Sequence, residues 1–178
     1  MQIGITWPLQ RLLKQPVPYG PAVPLAHCWD AHCIDLRGHS TLLLVHSPSR
    51  YAVVRMGMTP SDWQAVHLLA VQEIRLGLRE AGLTLEETEN YLLVAGQPAF
   101  TRTHGRRPVA YLNRVWESVL AADLLADPAQ KHQKLLAAEV NRLPGRCAAL
   151  EGVAAPAEFL RRCVRAPQQA GLYLPPLR

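Results

Sequence analysis

Residues 29–56 read WDAHCIDLRGHSTLLLVHSPSRYAVVRM. Three β-compatible runs lie in this stretch, at residues 31–36, 41–46 and 51–56, and short links containing Gly, Pro and Ser separate them. Links of this length and composition are typical of hairpin turns. The stretch therefore predicts an antiparallel meander, and its continuously apolar middle strand indicates that both faces of the sheet are covered.

Segments downstream of the meander carry the signals of covering helices. Residues 59–62 combine a Thr N-cap, a Pro at the first helical position and an acid in the first turn, and apolar residues then recur at spacings of three and four up to Gly82. Residues 84–87 form a capping box for a second helix, which ends near Gly96. We therefore expect one amphipathic helix over residues 60–81 and another from residue 85.

The remaining segments complete an α+β fold. The predicted pieces are an edge strand in residues 1–6, a loop at 15–26, a further strand at 98–103, helices from near 108, from 128 and over 156–165, and a Pro-containing tail at 172–177. Strands early and helices late favour an antiparallel β-meander sheet of about four to five strands covered by helices. We expect a core domain at residues 1–126 and a C-terminal helical extension at residues 127–178.

Charge is distributed unevenly along the 178-residue chain. Residues 1–89 carry 7 Lys or Arg against 8 Asp or Glu, a net charge of −1, and residues 90–178 carry 12 against 6, a net charge of +6. A basic half permits an anionic partner such as nucleic acid. Of the 19 basic residues, 16 are Arg. GC-rich coding would also produce such an excess of arginine, without any anionic partner.

Several functional classes lack their usual sequence signals. The sequence contains no secretory signal and no uninterrupted apolar run of about 18 residues, so we expect a cytoplasmic protein with reduced cysteines and no membrane partner. It also contains no nucleophile elbow, phosphate loop, dinucleotide-binding turn or HExxH zinc motif. We therefore predict no catalytic residue and favour a non-enzymatic role.

The densest group of possible metal ligands lies at the head of the meander. Four side chains there offer the nitrogen and sulfur atoms that zinc prefers, namely His27, Cys28, His32 and Cys33. Their spacing is not that of a zinc finger, and adjacent residues of an extended strand point to opposite faces. A zinc site and ordinary packing of these side chains both stay open.

A basic segment precedes the helix predicted near residue 108. Residues 101–108 read TRTHGRRP and lead into a helix whose early turns carry further polar residues. Backbone N–H groups at a helix N-terminus and guanidinium groups can hold a phosphate or a carboxylate. The candidate residues are Arg102, Thr103, Arg106, Arg107, Asn113 and Arg114. The alternative is that the arginines are solvated and the Asn bonds to local backbone.

A second basic face is predicted on the last helix. It consists of Arg161, Arg162 and Arg165. These residues extend the candidate partner-binding surface, or they form an ordinary exposed helix face.

Two stretches resemble motifs of a known family. Residues 29–32, WDAH, are similar to W-H-A-N, and residues 102–114, RTHGRRPVAYLNR, are similar to K-T-x-x-R-S-V-L-G-S-L-N-D. Both motifs occur in a bacterial family of small domains of unknown function, also found on plasmids and phages. The resemblance covers residues 1–126 and makes the rest an extension particular to this protein. The resemblance implies no activity, but it places Thr103, Arg106 and Asn113 in one motif, so these residues should be tested together.

Our leading expectation is a cytosolic binding or accessory protein that engages an anionic partner through its Arg-rich C-terminal half. The partner would be nucleic acid or an acidic protein surface. The alternative is a metal-dependent enzyme or zinc-binding protein built on residues 27–33, with zinc as its only expected cofactor. A third possibility is an oligomer that buries a stripe formed by Leu136, Val140 and Leu143.

Overall fold

The computed structural model describes residues 1–176. The strands are β1 (Gln2–Ile5), β2 (Val23–Pro24), β3 (Cys28–Leu36), β4 (His39–His46), β5 (Ala52–Arg55), β6 (Ala99–Thr101) and β7 (Leu172–Tyr173). The α-helices are α1 (Trp7–Leu13), α2 (Pro60–Gln64), α3 (Val66–Glu80), α4 (Leu85–Ala95), α5 (Arg106–Ala121), α6 (Lys134–Arg142) and α7 (Pro156–Arg165). Of the predicted tail, Leu177 lies outside the described residues.

The antiparallel meander predicted for residues 29–56 is confirmed. β3 pairs with β4 over eight residue pairs, and β4 pairs with β5 over four. Arg37 and Gly38 make the first turn at φ angles of 53° and 79°. A two-residue turn with both φ angles positive matches the right-handed twist of the strands that it joins.

β1 forms where a strand was predicted, but it is not an edge strand. The sheet order is β5-β4-β3-β1-β6, and β1 runs parallel to both β3 and β6. All four β1 residues are buried, as an interior parallel strand requires. The sheet is therefore mixed, and β3 is shared by the antiparallel meander on one side and by the parallel strands β1 and β6 on the other. Alternating hydrophobicity could not reveal this position, because the β6 partner lies far along the chain.

Helices cover both faces of the sheet, as predicted. On one face, Ile3, Ile5 and Trp29 pack against α1, α3 and α4 through Leu9, Ile74 and Tyr91. On the other face, Leu43 and Val54 pack against α5 and α6 through Leu112, Val115 and Leu136. A smaller cluster joins α7 to the chain before β3, and it contains Ala26, Cys147, Phe159 and Cys163.

Capping signals predicted the positions of most helices correctly, but the structure differs from the prediction at two helices. The capping boxes of Thr59 and Thr84 are both present. The helix expected over residues 60–81 is divided at Ala65, whose φ and ψ are −97° and 14°. α6 begins at Lys134 and not at residue 128, because the Asp127 carboxylate accepts the Ala129 N–H at 2.9 Å and closes a turn instead. An Asp-Pro pair is compatible with either a helix start or a turn.

The last helices contribute to the same core as the sheet. Leu136 and Val140 of α6 are buried in the second core cluster, and Leu160 of α7 is buried in the first. The prediction that Leu136, Val140 and Leu143 form an oligomer interface is therefore wrong, because only Leu143 is exposed, at 44%. The domain boundary near residue 126 stays a prediction. Among residues 1–176, no helix is both long and apolar enough to cross a membrane.

Candidate anion-binding cleft

A cleft of about 750 Å³ opens at the carboxyl ends of the neighbouring parallel strands β1 and β6. The helix after β1 packs on one face of the sheet through Leu9, and the helix after β6 packs on the opposite face through Leu112. Two adjacent parallel strands whose connections leave to opposite faces create a crevice at their ends, which is where ligands bind in open α/β sheets. The fold therefore places this cleft at the expected position for a ligand.

Four separate parts of the chain line the cleft. The first part is Ile5 of β1 with Trp7 and Gln10 of α1, and the second is Tyr19 in the loop before β2. The third consists of residues 102–105 of the β6–α5 connection with Arg106 and Val109 of α5, and the fourth is the C-terminal segment with Tyr173, Leu174 and Pro176. Its volume lies within the range of small-molecule sites. Sequence patterns did not identify Trp7, Tyr19 or Tyr173, because no local motif relates them to the basic segment.

The N-terminus of α5 faces this cleft without a side-chain cap. Gly105 is the N-cap, at a φ of 106° that favours glycine, and no side chain of residues 1–176 caps the helix. The first helical N–H groups, those of Arg106 and Arg107, have no intrahelical acceptor. Pro108 at the third position has no N–H. The positive end of a 16-residue helix thus lies at the cleft wall.

Two arginine side chains flank the uncapped end of the helix. The guanidinium carbon of Arg102 lies 4.8 Å from the centre of the Tyr19 ring, a cation–π arrangement. Arg106 is exposed beside it, and Thr103 is half-buried between the two in sequence. Neither arginine has an ion-pair partner among residues 1–176, and the Arg102 side chain donates one hydrogen bond, from Nε to the Val17 carbonyl at 3.4 Å. The positive charge of this wall is therefore not neutralised by an acidic side chain of the described residues.

A buried polar network fixes the connection that leads into α5. The His104 N–H donates to Oδ1 of Asp30 at 3.2 Å, and Nδ1 of His104 lies 3.0 Å from the same oxygen. Ser47 Oγ donates to the other Asp30 oxygen at 2.7 Å, and Gln2 Oε1 lies 3.2 Å from Nε2 of His104. The side chains of Asp30 and His104 are 1% and 0% exposed. This network ties the base of the cleft to β1 and β3.

Gly4 allows the close approach that the network needs. A Cβ atom at this position would lie 2.4 Å from Oδ1 of Asp30 and 2.7 Å from Cα of Thr103. Such distances are well inside van der Waals contact, so β1 and the β6–α5 connection could not come this close around a larger residue. The glycine is required here for space, not for a special backbone angle.

Tyr173 closes the opposite side of the cleft. Its ring packs edge-on against His104, with the two ring centres 4.8 Å apart. Tyr173 is only 6% exposed, and its buried hydroxyl has no hydrogen-bond partner in the described part of the chain. Burial raises the pKa of this hydroxyl, so the neutral form, which can donate, is favoured.

The basic segment predicted from the sequence is only partly gathered in the cleft. Arg102, Thr103 and Arg106 line it. Arg107 instead donates from Nη2 to the Cys147 carbonyl at 3.4 Å. Two further predicted residues, Asn113 and Arg114, are exposed farther along α5 and outside the cleft lining. Arg114 lies over the ring of Tyr111, at 5.4 Å.

The arginines of α7 lie in a different cleft. Arg161 donates to the Ala81 carbonyl at 2.6 Å, and Arg165 forms an ion pair with Glu87 at 2.8 Å. The hydrogen bond from Arg165 lowers the pKa of Glu87 to about 2. Arg162 lies over the Phe159 ring. Two of these three arginines therefore already have partners within the protein.

The His and Cys residues at the head of the meander do not converge. Cys28 donates to the Pro24 carbonyl, Nδ1 of His32 lies 2.8 Å from the Thr6 hydroxyl, and Cys33 packs on the first core cluster. His27 packs edge-on against Tyr91. Burial raises the pKa values of both thiols and lowers those of both imidazoles. Within residues 1–176, no three His, Cys, Asp or Glu side chains are placed to hold a metal ion.

The family model of a domain of unknown function, DUF6933, matches residues 2–158. The chain belongs to the DUF6933 family. This match confirms the resemblance to a family of unknown function. The DUF6933 match continues past residue 126, so residues 127–158 lie within the family domain and not in an extension particular to this protein. Comparisons with curated proteins and with solved structures found no match.

Proposed function

We propose that this protein binds a small organic anion in the cleft between α1 and α5. The observation that carries the proposal is the uncapped N-terminus of α5, which lies between Arg102 and Arg106, two arginines without an ion-pair partner in the described structure. Helix N–H groups and guanidinium groups together bind anions through charge-assisted hydrogen bonds.

Apolar and aromatic groups in the same cleft support a ligand with an organic body. Trp7 is 70% exposed at the cleft wall, where it offers a large planar apolar surface. Val109 and Leu174 add apolar surface near it. A ligand with an apolar or planar part beside its anionic group would cover this surface.

The distribution of the arginines favours a small ligand over an extended anionic polymer. The cleft contains only two of the seven arginines predicted to contact a partner, and Arg161 and Arg165 are bonded within the protein. A polymer such as nucleic acid requires a continuous basic track. An acidic partner protein that inserts one side chain into the cleft would use the same groups.

A binding role is favoured over catalysis by the state of the titratable groups near the cleft. His104 lines the cleft, but its side chain is 0% exposed and bonded to Asp30, whose side chain is 1% exposed. A general base must reach the proton that it removes, and these groups are occupied in holding the β6–α5 connection.

Isothermal titration calorimetry with benzoate and phenyl phosphate tests the proposal. At least one of the two anions should bind, and R102Q/R106Q should weaken that binding about tenfold or more, because each arginine would provide a charge-assisted hydrogen bond. R114Q/R162Q is the matched control, since it removes the same charge from exposed positions outside the cleft. Absence of binding to both anions, or equal loss in the two double variants, would overturn the proposal.

A further inference from the structure

We infer that the anionic group bound in this cleft is a phosphate monoester and that Tyr173 donates a hydrogen bond to the ligand. This inference rests on the proposed function and specifies its ligand class. It assigns a ligand-binding role to the C-terminal segment, which lies outside the residues matched by the family model.

The number of donors at the cleft wall fits a phosphate better than a carboxylate. The Arg106 N–H, which has no intrahelical acceptor, lies at the cleft wall with the guanidinium groups of Arg102 and Arg106, and Thr103 lines the same wall. A carboxylate offers two oxygen atoms and one negative charge. A phosphate monoester offers three terminal oxygens and nearly two charges at neutral pH, which matches two unpaired arginines and several neutral donors.

Tyr173 provides a second, independent indication of a ligand. Its side chain lines the cleft and is 6% exposed, and its hydroxyl is buried without a partner in the described structure. Buried polar groups in proteins nearly always have partners, because a missing hydrogen bond is costly. The ring lies against His104, the residue that precedes the α5 N-cap. The Tyr173 ring therefore lies beside the residue that leads into the N-terminus of α5.

The attachment of the C-terminal segment explains how Tyr173 reaches the cleft. β7 pairs with β2 through two residue pairs, Val23 with Tyr173 and Pro24 with Leu172. The Leu25 N–H also donates to the Gly171 carbonyl at 2.9 Å. This short pairing positions the segment against residues 23–25, which precede β3. The residues that select the ligand thus come partly from a segment beyond the matched domain.

The experiment compares phenyl phosphate with benzoate by calorimetry at pH 7.5, for the wild-type protein, Y173F and the control Y111F. Phenyl phosphate should bind at least about tenfold more tightly than benzoate. Y173F should weaken phenyl phosphate binding about tenfold, the usual effect of losing one hydrogen bond to a charged group. Y111F should leave it unchanged. Y173F should also keep or raise the melting temperature of the free protein, because it removes an unsatisfied buried hydroxyl.

Each possible failure has a distinct meaning. Benzoate binding as tight as phenyl phosphate binding would overturn the phosphate assignment while the anion cleft itself stands. Equal affinity of Y173F and the wild-type protein for phenyl phosphate would overturn the role of Tyr173. Failure of both compounds to bind the wild-type protein would overturn this inference together with the proposed function.

Discussion

Nδ1 of His132 lies 2.5 Å from Oε2 of Glu73, a carboxylate that is 1% exposed in the middle of α3. Nε2 of the same imidazole forms an ion pair with Glu80 at 3.0 Å, and Arg55 of β5 pairs with Glu73 at 2.7 Å. His132 therefore joins the chain before α6 to α3, and its charged form is the one that the two glutamates favour.

The first prediction concerns the pH dependence of stability. The hydrogen bond to Glu73 and the neighbouring carboxylate of Glu80 raise the pKa of His132 to about 9 from an ordinary value of 6.5. Because the folded-state pKa is the higher one, the stabilisation is fully present below pH 6.5 and is lost as the pH rises through about 9. Thermal melts from pH 6 to 10 should show a declining melting temperature in this window.

The control for this prediction is a pair of His substitutions. H132Q should remove most of the fall in melting temperature between pH 6 and 10. H39Q, at an exposed position of β4, should show the same fall as the wild-type protein. The same pH profile for H132Q and the wild-type protein would contradict the role given to His132.

The second prediction concerns a hydrogen-bonded chain in the core. Trp29 Nε1 donates to the Tyr91 hydroxyl at 3.0 Å, and that hydroxyl donates to the Ala26 carbonyl at 2.8 Å. Y91F leaves the buried indole N–H without an acceptor, so we expect a loss of about 1–3 kcal/mol in the free energy of unfolding. Urea denaturation measures the loss. Y19F, at a tyrosine that is 46% exposed, should change stability by much less, and equal effects would argue against this chain of hydrogen bonds.

The third prediction tests the close approach at Gly4. In G4A the new Cβ would meet Asp30 and the Thr103 backbone, and we expect a loss of about 1–3 kcal/mol or more. In G145A the nearest atoms belong to the guanidinium end of the long, partly exposed Arg50 side chain, which can move, so the loss should be smaller. Chemical denaturation of both variants makes the comparison. A larger effect for G145A would be inconsistent with a rigid contact at Gly4.

The fourth prediction separates a small ligand from a nucleic-acid track. For single-stranded DNA, each phosphate contact contributes about −0.7 to the slope of log binding constant against log salt concentration. Two cleft arginines predict a slope of about −1.4, and all seven candidate arginines acting together predict about −5. Fluorescence anisotropy with a labelled oligonucleotide, starting near 50 mM salt, measures the slope. The steep value would favour an extended nucleic-acid surface.

Local chemistry determined which parts of the fold were predictable. Capping boxes at Thr59 and Thr84 act within four residues of sequence, and the helix predicted over residues 156–165 was correct because a Pro marks its start. The turn at Asp127 was mistaken for a helix start because the same side chain satisfies either structure.

The site was predictable only in part, for a related reason. Arg102, Thr103 and Arg106 are neighbours in sequence, so their pattern indicated an anion site. Tyr173 and Trp7 reach the same cleft through long-range strand pairing and the β1–α1 connection. The division of the arginines between two clefts likewise depends on where α7 packs, which sequence spacing does not reveal.

The interior position of β1 has a consequence for folding order. Gln2 pairs with Cys28 on one side and with Ala99 on the other, so the two neighbours of this strand emerge from the ribosome at very different times. At synthesis rates of about 5–20 residues per second, one edge of β1 waits several seconds for β6 after β3 is made. A nascent chain of this protein therefore exposes an unpaired parallel edge, where chaperone binding or mispairing with another chain would occur first.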